Sequence, residues 1–439
     1  MHRIVLTGTL AGALLTASAF AQQPPDFEGR YIAAISDGDM RAYAYIDGDL
    51  GPPRGPDQLS IVSLPLAATP EVAAIEVSNT VINPVYSIAA SPDGNTIFVA
   101  ETHMQREESD RVLSDLDAGT MLRAVDVSDP RQPRVLGKAE VGPLPQGVSV
   151  SPDGRTLVLA TKTPGTPLVF VTFTDGRFGD VRKFALGGLS PMSELPDQGL
   201  MPHHAEWHPS ADVIAVTLNF RGQVRFFRVA RDADGSVSGI IPWGNPVQTS
   251  KWPMSGKFSR DGRYFVSNDL QWGPDVRGFY VNAPPSQFTS IELAALDAEE
   301  PRHFVVSGAS LPRHAESLAF SNAGGLIASL NIGQTWIPEG EVGHSSSSLS
   351  LIRFDEESGQ LTHLGDWPLG GLLPEGIAFD ASDRYVVAGV FEYEGPEPRQ
   401  SGLEVWEVVQ SEDGVPGLED TGHRIPTGPG AHSLIVVNE

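Results

Sequence analysis

A strand–turn–strand unit recurs at near-constant spacing along this chain of 439 residues, and that recurrence limits the fold more than any other feature. Its clearest copies are VYSIAASPDGNTIFVAE (85–101) and QGVSVSPDGRTLVLATK (146–162). Four variants follow: MPHHAEWHPSADVIAVTLN (201–219), SGKFSRDGRYFVSND (255–269), ESLAFSNAGGLIASLN (316–331) and EGIAFDASDRYVVAGVFE (375–392). The turns begin at Ser91, Ser151, His208, Ser259, Ser321 and Asp380, at intervals of 60, 57, 51, 62 and 59 residues. In SPDG, proline presets φ at the second turn position and glycine accepts positive φ, so four residues close a hairpin.

Two further strand-like runs follow each pair. In the second unit these are PLVFVTF (167–173) and DVRKFAL (180–186). Four antiparallel strands per unit of about sixty residues is the pattern of a β-propeller blade. Six units are complete, and the termini supply a seventh. GRYIAAIS, DQLSIVSLP and VAAIEVS read as its second to fourth strands, and AHSLIVVNE at the C-terminus as its first. The expected fold is therefore all-β: a seven-bladed β-propeller of four-stranded antiparallel blades, closed by a three-plus-one blade from the two termini, with no open sheet edge. High Gly (46) and Pro (36) agree with a turn-rich β protein. No composition break or linker divides residues 22–439, which are expected to form one propeller domain.

Residues 1–21 read as a secretory signal peptide: Arg3, then an apolar run, then Ala19-Phe20-Ala21 as a small-x-small cleavage site. The expected location is the periplasm or the cell exterior. The run is too short and too rich in small residues for a membrane span. The chain has no cysteine, so disulfides, thiolate metal sites and thioester chemistry are excluded. Its formal charge is −25, and −26 once Arg3 is removed, which argues against nucleic acid and anionic membranes as partners.

In a propeller the first strand of each blade is innermost, and its start faces one end of the central channel. The residues at those starts are Tyr86, Gln146, His203 with His204, Met254, Glu316, Glu375 and His432. Second-strand ends open on the same face. They bring Glu101 with His103, Lys162, Asn219 with Arg221, Asn268 with Asp269, Asn331 and Glu392. Long loops leave this face (102–120, 271–288, 334–348), whereas the opposite face has short turns. Polar groups converging on a concave mouth make it the expected binding site. His208 replaces the first serine of a turn and reads as structural, and Trp207 reads as core. Oxygen ligands around the channel make Ca²⁺ a candidate, and His203, His204 and His432 a softer metal, but no fixed ligand spacing selects either. No G-x-S-x-G elbow, Walker loop or dinucleotide fingerprint occurs.

From about Arg30 to Val437 the chain resembles the seven-bladed β-propeller lactonase-like proteins, a YVTN-repeat, 6-phosphogluconolactonase-like family. QGVSVSPDGRTLVLAT, PHHAEWHPSADVIAVTLN and LPRHAESLAFS carry the resemblance. Pro202, His204, Pro209 and Asn219 match the family pattern in register, while Pro312-Arg313-His314 stands three residues further from its turn. The resemblance implies ring opening of a sugar or related lactone by water. Glu375, Glu316 or His204 would be the base. Arg221, Arg313 or His432 would stabilise charge, and His314 would help to bind. The remaining alternatives are a non-catalytic propeller that binds a protein or glycan through its loops, and a carbohydrate lyase on the same scaffold. The aromatics Trp272, Tyr280, Trp336 and Tyr393 favour the former.

Overall fold

The computed structural model describes residues 23–438 except 83–85, 188, 190–200 and 396–397. The signal-peptide reading falls on residues outside that set. Among the described residues, seven antiparallel sheets surround one axis, each with four strands in simple meander order; one carries a two-residue addition, Val247–Gln248. The innermost strands of blades two to seven are Ile88–Ala90, Gln146–Val150, His204–Trp207, Pro253–Phe258, Ala315–Phe320 and Gly371–Phe379. Blade one is built from both termini: Ala431–Val437 pairs antiparallel with Tyr31–Ser36, with Ile435 opposite Ala33. The three-plus-one closure expected from the sequence is the one observed.

The turns explain the repeat. Ser151 Oγ donates to Asp153 Oδ1 at 2.5 Å and accepts from Thr156 N at 2.9 Å, so the serine and aspartate lock the hairpin internally. Gly154 takes φ 72°, which disfavours a side chain. The same set recurs at Ser91 and Ser259. His208 breaks the pattern and instead reaches the next turn, with Nε2 3.1 Å from Gly262 O.

Blades are apolar on both faces, so the core is not one mass but a layer between each pair of neighbours. Trp207, Ile214 and Phe227 of blade four, for example, pack on Val158 and Phe170 of blade three. Burying one such large side chain contributes about 1.5–3 kcal/mol. The layers therefore leave the polar inner-strand starts as the variable part of the channel. Among the described residues no helix is long and apolar enough to cross a membrane.

Candidate functional site

A cavity of about 290 Å³ lies at the mouth of the channel, on the face from which the long loops leave. Its walls start from inner-strand and second-strand ends. Lys162, His203 and Asn219 come from blades three and four, and His314 and Glu316 from blade six. Apart from Thr335, the rest of the lining is apolar and aromatic. Trp252, Trp272 and Trp336 stand on the wall, and a segment inserted between Ser36 and Gln58 brings Tyr43 and Tyr45 over the top. That segment contains the short helix Ala44–Asp47 and docks through Met40, Ala44 and Leu50 on Ile332, Leu373 and Phe391. Its base is held by Asp37, Asp39 and Asp57. All of their carboxylate oxygens accept hydrogen bonds, from Val81 N, Arg106 N and Asn79 N among others.

Polar groups in the cavity have distinct states. Trp272 Nε1 donates to His314 Nδ1 at 2.9 Å, which leaves the proton of neutral His314 on Nε2; that Nε2 has no protein acceptor. Burial holds His314 down to about 3, with Arg313 adding to the effect. His203 is neutral for the same first reason, then by the charge of Lys162, and its Nδ1 lies 3.0 Å from Met254 O. Burial pushes the Lys162 ammonium down to about 8. Burial also raises the carboxyls of Glu316 and Glu375 far above the usual carboxylate range, and the charge of Glu316 raises Glu375 further. These two form a buried acid pair, with Glu316 on the cavity surface and Glu375 behind it.

Other residues singled out from the sequence lie elsewhere. His204 sits away from the cavity lining, its ring 5.2 Å from Tyr86 and its Nε2 3.5 Å from Glu206 Oε2. Tyr86 spans the channel from blade two to blade six, where its hydroxyl donates to Leu318 O and accepts from Leu318 N. His432 is tied to Asn79 Oδ1 at 2.7 Å. Asn268 bonds Ser255 and the carbonyls of Ala315 and Glu316, and so clamps blade five to blade six. Asn331 bonds Ser348 and Ser350. Glu101 pairs with Arg123 at 2.7 Å, Gln146 donates to Leu144 O, and Arg313 donates to Ala283 O. His103 bridges to Ala118 in its own loop, and Arg221 borders a shallower surface depression. Glu392 is paired with Arg54 and Arg399. Among the described residues, Asp37, Asp39 and Asp57 form the one acidic or histidine cluster close enough to share an ion, and it lies outside the cavity lining. Its fully hydrogen-bonded oxygens fit a loop anchor better than a Ca²⁺ site.

Of the aromatics noted in the sequence, Trp272, Tyr280 and Trp336 line the cavity, whereas Tyr393 does not. Tyr43, Tyr45, Phe220, Trp252 and Phe279 complete the aromatic part of the lining and were not anticipated. The sequence AYAYIDG did hold a signal, two tyrosines in a loop otherwise rich in Asp, Gly and Pro.

A family model described as "Lactonase, 7-bladed beta-propeller" matches residues 55–391. No curated protein matches the chain. Among solved structures, the periplasmic gluconolactonase from Pseudomonas aeruginosa superposes with a TM-score of 0.59 at 16% identity, covering 92% of this chain and 99% of that one. A candidate 6-phosphogluconolactonase from Bacteroides uniformis gives 0.59 at 14% identity, with 93% and 99% covered. A functionally unknown protein from Desulfotomaculum acetoxidans gives 0.56 at 13%, again with 93% and 99% covered. At these identities the likeness concerns the fold.

Proposed function

The chain belongs to the seven-bladed β-propeller lactonase family, and on that premise we propose that it hydrolyses a lactone in the aromatic cavity and works outside the cytoplasm. One observation carries the reaction: Glu316 and His314, two residues apart at the start of one inner strand, both line the cavity, the first with a proton-binding carboxyl and the second with a buried Nε2 that has no protein partner.

In its ionised form, Glu316 takes a proton from water as the water oxygen attacks the lactone carbonyl. The C=O electron pair moves onto oxygen, and the His314 Nε2–H stabilises that oxyanion, assisted by the Lys162 ammonium across the cavity. Collapse of the tetrahedral intermediate breaks the ring C–O bond. The proton held by Glu316 passes to the departing alkoxide, giving a hydroxy acid that ionises to its carboxylate. Glu375 does not touch this chemistry. It lies behind Glu316 as the second carboxyl of the buried pair, and its own carboxyl is raised by burial and by the charge of Glu316.

Two supports for the export reading are Ala19-Phe20-Ala21 and the name of the Pseudomonas aeruginosa relative, a periplasmic gluconolactonase. Intact-mass measurement of the exported protein should find Gln22, or its cyclised form, first. A chain retaining Met1 in the cytoplasm would remove that part of the proposal.

The reaction is tested by following acid release from a panel of lactones. Wild-type turnover and a loss of about 100-fold in Glu316→Gln with unchanged melting temperature are expected. No turnover of any lactone, together with saturable ligand binding, would favour the non-catalytic binding propeller, a reading supported by the aromatic lining.

A further inference from the structure

We infer that the cavity selects an uncharged, largely apolar lactone whose ring packs on the tryptophan wall, and that it rejects sugar lactones and their phosphates. The word lactone rests on the hydrolase reading above; the ligand class rests on the cavity alone.

The wall is a continuous run of rings. Phe220 contacts Trp252 at 4.6 Å between centroids, Trp252 contacts Trp272 at 6.3 Å, and Trp272 contacts His314 at 5.8 Å, which contacts Trp336 at 5.2 Å. The polar handles of these rings are mostly spent inside the protein. Trp272 N–H is on His314, Tyr45 hydroxyl donates to Val81 O at 2.7 Å, and Tyr280 hydroxyl donates to Tyr45 O. Trp252 and Trp336 keep indole N–H groups without a protein partner; what the rings otherwise leave to a ligand is π-surface. One polar atom of each of two further side chains is also committed: Asn219 Oδ1 accepts from Phe220 N, and His203 Nδ1 lies against Met254 O.

A sugar ring carries a hydroxyl on nearly every carbon. Each hydroxyl buried without a partner costs about 1–3 kcal/mol, and most of the cavity wall is ring face and aliphatic carbon, which offers none. A lactone with a plain hydrocarbon or aromatic ring needs partners only for its ester oxygens, and His314 Nε2–H supplies one. The size agrees: 290 Å³ is at the small end for ligand pockets and suits one or two rings.

Charge excludes a phosphate more firmly. Among the described residues lining the cavity, Lys162 is the single Lys or Arg. Arg54 and Arg399 nearby are paired with Glu392, and Arg313 donates to Ala283 O. A phosphate monoester carries about −1.5 to −2 charges at neutral pH. One lysine facing a glutamate pair cannot balance it in a site walled by hydrocarbon.

The test compares three substrates on the wild-type protein: dihydrocoumarin, glucono-δ-lactone and 6-phosphoglucono-δ-lactone. A calorimetric titration with coumarin, used as a binding probe, runs beside it. Expected results are kcat/KM at least 100-fold higher for dihydrocoumarin than for glucono-δ-lactone, no measurable turnover of the phosphate, and saturable coumarin binding that weakens at least 10-fold in Trp336→Ala. Equal or better turnover of either sugar lactone overturns the inference while leaving the hydrolase reading in place. Coumarin binding without turnover of any lactone does the reverse. Absence of coumarin binding to the wild-type protein overturns the inference whatever the variant does.

Discussion

Trp272 and His314 are joined by a 2.9 Å hydrogen bond from indole Nε1 to imidazole Nδ1, and that bond places the proton of neutral His314 on Nε2. Trp272→Phe keeps the ring and removes the donor. The tautomer of His314 is then free to invert. A fall of about 10-fold in kcat with little change in KM is expected, against about 100-fold for His314→Phe. ¹⁵N chemical shifts of His314 report the tautomer directly. Unchanged kcat in both variants would place the oxyanion elsewhere.

Turnover should follow a bell-shaped pH profile. The raised carboxyl of Glu316 is protonated at low pH, so its basic form, and the rate, grow as pH rises. Lys162 loses its charge above about 8, so the rate falls beyond that. His203 stays neutral throughout and contributes no limb in this range. Lys162→Arg keeps a permanent charge and should move the alkaline limb upward. An alkaline limb that stays in place in the variant would exclude Lys162 as its source.

Stability should depend on pH in two opposing ways. Burial holds His203, His314 and His432 down to about 3, below their unfolded value of 6.5. Between those values the unfolded chain binds more protons, so stability rises with pH from about 3 to 6.5. Asp269 is raised by burial from 3.8 to about 7. There the folded chain holds the extra proton, so stability falls as pH rises through that window and then levels off. His432→Gln should reduce the acid-side slope by one proton, about 1.4 kcal/mol per pH unit. Urea unfolding at several pH values measures it. A steeper slope in the variant would reverse the sign assigned to the histidines.

Removing residues 431–439 should expose the inner edge of blade one and uncover Ile32, Val62 and Tyr385. Insolubility or a melting temperature lower by more than about 10 °C is expected, because several large side chains lose about 1.5–3 kcal/mol of burial each. A truncated protein that melts like the intact one would rule out the closure.

His208→Ser restores the serine found in four of the other turns but loses the bond to Gly262 O and the contact with Phe258. A cost of about 1 kcal/mol in stability is expected, with kcat and KM unchanged. Loss of activity in this variant would move the site to the opposite face.

The propeller was legible in the sequence because a hairpin is local. Ser, Asp and Gly within four residues close three of the turns by their own hydrogen bonds, and six turns at near-equal spacing imply the blades and their closure. The face of the site was legible too, since Glu316 and His203 begin inner strands and long loops leave that end. Tertiary structure decided which of those residues share a space. Of the adjacent His203 and His204, the sequence favoured His204 as the catalytic one; the structure puts His203 on the cavity and His204 against Tyr86 beyond it, because neighbours on a strand point to opposite sides. Asn268 and His432 looked like ligands, yet packing spends their polar atoms on neighbouring blades and on Asn79. The lid tyrosines were hidden for another reason. Tyr45 meets Tyr280 across 235 residues through irregular loops, which carry no periodicity to read, and the partners that fix such loops exist only once the ring has closed.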